Sequence, residues 1–371
     1  MRPWKRRLLN ILQSIRVTLS QVALLLGWRR RKGKRRPLKI VPYRGYGTAD
    51  SIHLQGRILH DRFIISTATD SLWKNLRNNL KRFLSKEIVG AQLSATIGKN
   101  RFELVTDREG YFQLQSPLPY PIVPKKGKPW QDVQLHLTQT PYQEIDIKAT
   151  TEILLPKKAA FGIISDIDDT ILETKVTSML KLRMLYLTFM KNAFHRNAFQ
   201  AVGAFYTALQ KGPKQQSHNP VFYVSNSPWN LYDPLKQFLQ LNYLPKGPIL
   251  LRDFGIPAHK VPAHYQGHKK ESIINILNTY PKLPFVLIGD SGERDADVYL
   301  SLAEDFPGRI RAIYIYDVKS ERRARRIKKK IKKRAKIKVH LIKNYTEAAA
   351  HAAKIGLLAP EAFQALQEQS D

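Results

Sequence analysis

The sequence predicts an α/β protein in which a small β-rich region precedes a doubly wound parallel sheet. Two observations favour this fold class. Short alternating runs separated by turns fill residues 38–156, whereas fully apolar strands alternate with helical stretches beyond the "LLPKKA" joint. Apolar strands separated by helices are typical of a parallel sheet covered on both faces. Such sheets bind ligands beyond the carboxyl ends of their strands, so a site is expected in the second region.

The β-rich region, residues 38–156, contains the alternating runs "IHLQGRIL", "AQLSATI", "RFELVTD", "YFQLQS" and "DVQLHLT". The "GKN" and "REG" stretches supply turns between them, and "VTDREGYFQL" resembles a strand–turn–strand of small β-sandwiches. One helix is predicted to interrupt the strands, with Asp70 as the N-cap of "SLWKNLRNNLKRFL". We therefore expect a small sandwich-like unit.

The second region, residues 157–318, is expected to form the parallel sheet. Strands are predicted at 161–165, 220–225, 285–289 and 311–316, and helices at 178–193, 198–210, 230–241, 269–279 and 295–303. Residues 339–371 are expected to add a terminal strand and helix.

The positive charge of the chain, +32 in total, is concentrated in two segments. Residues 1–36 hold twelve Lys/Arg and no acid, and residues 319–338 hold thirteen against Glu321 alone. Residues 1–37 read as a basic amphipathic leader and 319–338 as a basic membrane-seeking helix with an apolar stripe of Ala324, Ile327, Ile331 and Ala335. Such segments favour an acidic membrane or, alternatively, a nucleic acid.

The absence of cysteine excludes disulfides, thiolate catalysis and cysteine-ligated metals. No run reaches the roughly 18–20 uninterrupted apolar residues of a spanning helix. Together with the surface-type leader, these features favour a location on the cytoplasmic side of a bacterial membrane, peripheral to the bilayer.

The first apolar strand of the second region runs into three carboxylates in "SDIDDT". Crowded like charges repel, so the cluster makes sense if a cation or a phosphate accompanies it. Asp166 could attack phosphorus, and Asp168 could point back to the same side and act on the leaving oxygen. Mg²⁺ is the hard cation that these oxygens would bind. A solvated acidic loop would give the same motif.

Polar residues also follow the next strands. Ser225, with the adjacent Asn226, could hold phosphoryl oxygens, although "SNSP" is equally an ordinary turn. Lys269 opposes the dipole of the helix it begins, which disfavours a purely structural role, and Lys270 is its competitor. Asp290 and Asp295 form a second acidic strand end that could share the cation, with acidic caps as the alternative.

The order of a DxDxT, a Ser, a Lys and a GDSGxxD resembles the haloacid dehalogenase superfamily of aspartate-based phosphatases. The strings "SDIDDTI", "YVSNSPWNLYDPL", "GPILLRDFG", "HKKESI" and "FVLIGDSGERDADVY" resemble, more narrowly, the phosphatidate phosphatase catalytic domains of the yeast actin-patch-protein type and their bacterial relatives. This resemblance spans roughly residues 160–318. "PYRGYGT", at 42–48, is similar to the β-rich region that precedes the domain in bacterial relatives.

The resemblance implies a haloacid dehalogenase-like fold and a role for each matching residue. It makes Asp166 the nucleophile and Asp168 the general acid and then the base. It makes Ser225 the phosphate-binding serine and Lys269 the charge-stabilising lysine. Asp290 would bind Mg²⁺ together with Asp166 and the backbone carbonyl of Asp168, and Asp295 would support that site.

The resulting hypothesis is a Mg²⁺-dependent phosphatase that converts phosphatidate to diacylglycerol at a membrane surface. The amphipathic leader and the basic helix favour a lipid substrate, and the apolar "MLKLRMLYLTFMKNAF" could shelter acyl chains. Two alternatives remain: a nucleic-acid end phosphatase, and a non-catalytic module that binds anionic lipids.

Overall fold

The computed structural model describes residues 37–60, 88–124, 128–167, 193–215, 217–252, 267–291, 295–317, 324, 325, 327 and 339–368. The predicted leader helix, the helix after Asp70 and all but the last residue of the helix predicted at 178–193 lie outside these residues. Within them, the chain forms an antiparallel-rich sheet followed by a parallel sheet, as the alternation of sequence patterns predicts.

The first sheet, sheet A, has eight strands in the order β1-β3-β2-β8-β7-β4-β5, and β6 pairs with β3. All of its pairings are antiparallel except that between β2 and β8. Its strands are β1 (Leu38–Pro42), β2 (Gly45–Gly47), β3 (Ser51–His60), β4 (Gln92–Ile97), β5 (Asn100–Val105), β6 (Tyr111–Pro117), β7 (Trp130–Thr140) and β8 (Gln143–Leu154).

Sheet A curls around one apolar core. Leu54 of β3 and Leu93 of β4 belong to the same buried cluster although their strands are not neighbours. Burial alternates along β3, where every second residue from Ile52 to Ile58 faces inward. This period of two is typical of a sheet with one face packed and one face in water.

The second sheet, sheet B, has six parallel strands in the order β11-β10-β9-β12-β13-β14. From β9 the chain adds β10 and β11 on one side of the sheet and then β12, β13 and β14 on the other side. The topological switch point therefore lies between β9 and β12. Its strands are β9 (Gly162–Asp166), β10 (Val221–Pro228), β11 (Ile249–Arg252), β12 (Phe285–Asp290), β13 (Ile310–Tyr316) and β14 (Val339–Ile342).

Helices cover both faces of sheet B. Ile163 of β9 belongs to one buried cluster and its neighbour Ile164 to another, as expected for a strand buried on both sides. One face packs against α1 (Ala193–Lys211), α2 (Tyr232–Leu241), α5 (Tyr345–Lys354) and α6 (Pro360–Glu368), and the other against α3 (Gly267–Thr279) and α4 (Asp295–Asp305). No helix among the described residues is long and apolar enough to cross a membrane.

The structure departs from the predicted elements in a few places. No strand is predicted at Ile249–Arg252, which forms the edge strand β11, or at β1, β2 and β8 of sheet A. The helix predicted at 198–210 begins earlier, at Ala193. The strand predicted at 220–225 continues to Pro228 and is followed by a 3₁₀ turn at Trp229–Leu231 before α2 begins.

The expected lipid-facing stripe of the basic segment 319–338 is wrong for two of its residues. Ala324 is buried, and Ile327 is only 2% exposed and packs in the core under sheet B. These apolar side chains are already covered by the protein itself and are therefore not available to a bilayer. Ile331 and Ala335 lie outside the described residues.

Candidate active site

Three strand ends meet at the carboxyl edge of sheet B. Val224 of β10 pairs with Asp166 of β9, and Ile288 of β12 pairs with Ser165. This register brings the residues that follow Val224 and Ile288 beside Asp166. The switch point of the sheet therefore collects the predicted residues from three separate motifs.

An acid cluster lies at this edge. Asp166, Asp290 and Asp295 are all buried and each offers a carboxylate oxygen, and these oxygens lie within 4.8 Å of one another. Asp295 comes from the first turn of α4, and its Oδ2 accepts a hydrogen bond of 3.3 Å from the Asp290 backbone N–H. A Cβ at Gly289 would lie 2.6 Å from this Oδ2, so only glycine lets the two elements approach so closely.

Lys269 reaches the acid cluster from α3. Its Nζ donates to Asp295 Oδ1 at 2.5 Å and lies 2.9 Å from Asp166 Oδ1, an ion pair without hydrogen-bond alignment. The side chain is almost fully buried. The competing Lys270 points elsewhere, donating to Ser301 Oγ at 2.8 Å and to the partly exposed Asp305 at 2.7 Å. The structure thus separates the two adjacent lysines.

The charges of this group do not balance. Three carboxylates and one ammonium leave a formal excess of two negative charges among these four buried side chains. The Asp166 Oδ2 atom is buried and has no hydrogen-bond partner in the described part of the chain. A buried anionic oxygen without a donor is costly, so the donor set fits a divalent cation with oxygen preference.

Buried tyrosines surround the cluster. Tyr206 OH and Ser165 Oγ share a hydrogen bond of 2.6 Å, and Tyr299 OH donates to the Ile288 carbonyl at 3.0 Å. Burial raises the pKa of both phenols above the ordinary value, and the neighbouring Asp295 raises the pKa of Tyr299 further. Both rings therefore stay neutral and hold β9 and β12 in a dry environment, which strengthens electrostatic interactions there.

Strand β10 has an irregular, bulged segment at residues 225–227, the serine turn. The pairing of β10 with β11 shifts register between Val224 and Pro228, so residues 225–227 leave the regular ladder next to Asp166. Ser225 is buried and its Oγ accepts a hydrogen bond of 2.9 Å from the Ser227 N–H. Asn226 lies half-buried in the same turn. A compact turn at a strand end can present backbone and side-chain donors to an anion.

Most of the predicted residues therefore come together. Asp166, Asp290, Asp295 and Lys269 are in mutual contact or close to one another, and Ser225 and Asn226 follow the strand that adjoins Asp166. Asp168 lies outside the described residues, as does most of the apolar segment expected to shelter acyl chains. Their assigned roles stay predictions.

The fold and the cluster define the class: an α/β protein with a buried carboxylate–lysine site at the switch point of a parallel sheet. Residues 161–317 match the family profile described as the catalytic domain of phosphatidate phosphatase APP1. This segment is accordingly similar to that domain family.

Two curated relatives are similar to this chain. The phosphatidate phosphatase APP1 of Saccharomyces cerevisiae is 37% identical over 155 residues, covering 42% of this chain and 25% of the relative. An uncharacterized protein of Schizosaccharomyces pombe, C29B5.04c, is 29% identical over 252 residues, covering 66% of this chain and 40% of the relative. The chain thus spans well under half the length of either relative.

Comparison with solved structures adds nothing to this classification. The carbohydrate acetylesterase XAC1771 from Xanthomonas citri aligns with a TM-score of 0.24 at 9% identity, covering 72% of this chain and 65% of that one. A score this low carries no argument about fold or chemistry.

Proposed function

We propose that this protein is a phosphatidate phosphatase that hydrolyses the phosphate ester of phosphatidate to diacylglycerol and inorganic phosphate. The family match of residues 161–317 supports the reaction class. The single observation that carries the chemistry is the placement of Asp166 Oδ2 near Lys269, because this buried carboxylate oxygen has no hydrogen-bond partner among the residues that the structure describes. Such an oxygen can act as a nucleophile toward phosphorus. The fold of sheet B and its helices is accordingly proposed to be haloacid dehalogenase-like.

Mg²⁺ is the proposed cofactor. Asp166 and Asp290 would hold it with the backbone carbonyl of Asp168, and Asp295 would support the site by fixing both Lys269 and the Asp290 backbone. A bound Mg²⁺ supplies positive charge that balances the carboxylates and the phosphate. The excess of two negative charges in the cluster supports this choice of a divalent cation.

The proposed reaction has two displacements at phosphorus. In the first, an Asp166 oxygen forms a bond to phosphorus while the ester P–O bond breaks, and Asp168 gives its proton to the departing diacylglycerol oxygen. In the second, Asp168 takes a proton from water, whose oxygen attacks phosphorus and releases phosphate and free Asp166. Ser225, Asn226 and Lys269 would hold the phosphoryl oxygens throughout.

The proposed site of action is the surface of an acidic membrane, reached from the cytoplasmic side. The basic segments 1–36 and 319–338 support it, because phosphatidate is itself an anionic lipid and clustered Lys/Arg bind such surfaces. Sedimentation with vesicles that contain phosphatidate, compared with vesicles of neutral lipid, tests this part separately from catalysis.

Phosphate release by the full chain tests the proposed activity. Phosphatidate in mixed micelles and a 5′-phosphorylated oligonucleotide are offered in parallel with Mg²⁺ and with a chelator. Mg²⁺-dependent release from the lipid supports the proposal. Preferential release from the oligonucleotide supports a nucleic-acid end phosphatase instead, and no release from either substrate supports a non-catalytic lipid-binding module.

A further inference from the structure

A short stretch of sheet A, residues 42–48, packs against the part of sheet B that carries the serine turn. The Tyr43 ring stacks on the Trp229 ring with centroids 4.2 Å apart and planes 16° from parallel. Tyr232 closes the group, with its ring centroid 4.5 Å from that of Tyr43. All three side chains are buried, and they belong to the core of sheet B rather than that of sheet A.

Tyr43 is fixed firmly on its own side of this contact. Its backbone N–H donates to the Gln55 carbonyl at 2.9 Å, and its carbonyl accepts from Thr151 Oγ1 at 3.0 Å. The next residue, Arg44, donates its backbone N–H to Tyr232 OH at 2.8 Å. The ring of Tyr43 is therefore a rigid projection of sheet A into its neighbour.

Trp229 lies at the end of the serine turn that adjoins the proposed nucleophile. Residues 225–227 stand out from the ladder between two paired residues, Val224 and Pro228, and Trp229 follows directly. Pairing of Val224 with Asp166 fixes the first end of the turn relative to the proposed nucleophile. The second end belongs to the 3₁₀ turn Trp229–Leu231, whose first side chain is held by Tyr43.

The same stretch also reaches the helix that bears Lys269. The Tyr46 ring meets Phe222 of β10 edge-on at 5.5 Å and lies 6.4 Å from Tyr280, just beyond the end of α3. His53 of β3 stacks on Tyr46 at 4.7 Å, and its Nε2 is 3.1 Å from Thr279 Oγ1. Sheet A thus contacts both elements that bring phosphate-binding groups to the edge.

We propose that Tyr43 is a positioning residue for the phosphatase reaction, acting through Trp229 on the turn 225–227. Sheet A then belongs to the catalytic apparatus, because its Tyr43 fixes one end of the turn that adjoins the proposed nucleophile. This inference rests on the proposed function. Its physical basis is that a misplacement of reacting groups by about 1 Å can lower turnover by roughly a hundredfold.

Three variants separate positioning from simple destabilisation. Tyr43→Ala removes the stack, Tyr43→Phe keeps the ring, and Leu114→Ala removes comparable apolar packing from the core of sheet A. Each is made in the full chain. Hydrogen exchange over residues 225–231 and steady-state kinetics with p-nitrophenyl phosphate and with phosphatidate micelles are measured for all three.

Tyr43→Ala is expected to speed exchange in residues 225–231 and to lower kcat at least about tenfold on both substrates. Tyr43→Phe is expected to stay within about twofold of the wild type, because the stack needs only the ring. Leu114→Ala is expected to leave the exchange of 225–231 and kcat unchanged. A loss confined to the micellar substrate would indicate that the contact serves surface docking, and it would overturn the proposal.

The proposal is also overturned if Tyr43→Ala keeps wild-type kcat, or if exchange in 225–231 does not change. The wild-type chain decides the proposed function independently. If the wild type releases no phosphate from either substrate, the proposed function fails. If it turns over and Tyr43→Ala matches it, only the inference about Tyr43 fails.

Discussion

Each sheet carries a close contact between a basic and an acidic side chain, and the two contacts differ in how far they are exposed to water. In sheet A, His136 Nε2 lies 2.7 Å from Asp146 Oδ1 with side chains 37% and 74% exposed. In sheet B, Lys269 Nζ lies 2.9 Å from Asp166 Oδ1 with side chains 4% and 0% exposed. A solvated pair contributes little to stability, whereas buried charges interact strongly and are costly when unbalanced.

This difference follows from how the sheets are built. From Gln143 to Thr150 of β8 in sheet A, exposed and partly buried residues alternate, so charged side chains there reach water. Every residue of β9 and β12 in sheet B is buried, so a charge at their ends must be satisfied by other protein groups or by a ligand. We therefore expect catalysis at the buried charges of sheet B, from which water is excluded, and not at the exposed pair of sheet A.

The largest effect is expected for Asp166→Asn. Loss of the carboxylate nucleophile should lower phosphate release at least about a thousandfold. The free energy of unfolding should change by no more than about 1 kcal/mol, because removing one of three crowded charges relieves repulsion. Phosphate release and thermal unfolding without divalent metal are the measurements.

Asp297→Asn is the matched control for Asp166→Asn. Asp297 lies in the same first turn of α4 as Asp295 but outside the acid cluster. Its variant should keep wild-type turnover. Wild-type turnover in Asp166→Asn would refute the nucleophile assignment.

Lys269→Met should lower both stability and activity. Without the ammonium of Lys269, the buried carboxylates of Asp166 and Asp295 lose the cationic group that contacts them among the described residues. This loss should lower the free energy of unfolding by about 3 kcal/mol. Lys270→Met, the adjacent lysine with a partly exposed ion pair, should cost less than about 1 kcal/mol and leave kcat unchanged. Denaturant titration and phosphate release separate the two, and equal effects would contradict the distinction between these lysines.

Mg²⁺ should stabilise the metal-free protein. At a hundredfold excess over Kd, binding to the folded state should raise Tm by roughly 5 °C. Asp290→Asn should remove the shift, whereas Asp146→Asn, which changes only the exposed pair of sheet A, should retain it. An unchanged Tm in the wild type would show that the acid cluster is not a magnesium site.

The smallest effect is expected from His53, at the contact between the sheets. Burial lowers the pKa of His53 below its ordinary value of about 6.5, so the folded protein resists protonation. As pH falls below that value, the unfolded chain takes up a proton that the folded chain does not, and stability declines. Above it, His53 is neutral in both states and contributes no pH dependence.

His53→Gln should therefore flatten the decline in unfolding free energy between pH 7 and 5.5 by less than about 1 kcal/mol. His136→Gln, on the solvated face of sheet A, is the control. Denaturant titrations at several pH values give the slope. A slope that is identical in wild type and His53→Gln would contradict the burial argument.

Local pattern predicted much of this architecture. Period-two alternation indicated five strands of sheet A, β3 to β7, but not β1, β2 or β8, and unbroken apolar runs indicated β9, β10, β12 and β13. The strand β11 escaped because four residues, two of them only partly buried, give no periodic signal. This strand forms because it pairs with the edge of β10, and the four residues of the strand do not by themselves indicate that pairing.

The site was predictable to the extent that its residues follow strands. Asp166 and Asp290 could be placed at one edge from topology alone. The contact of Tyr43 with Trp229 could not, because it joins residues that are far apart in sequence and depends on how two sheets pack. Lys269 lies four residues before Ile273 and therefore on the buried face of α3, whereas Lys270 does not. The partner of the Lys269 ammonium could not be predicted in the same way, because Asp295 belongs to a different helix, α4.

The central strand β9 also limits what insertions and deletions this gene can tolerate. Asp166 is aligned with Val224, and its preceding neighbour Ser165 is aligned with Ile288. One residue added to β9 or lost from it would shift the register of this strand against its neighbours. The position of the Asp166 carboxylate would then be taken by the hydroxyl of Ser165 or by the hydrocarbon side chain of Ile167. Sequence length in this strand is thus as constrained as the identity of its last residue.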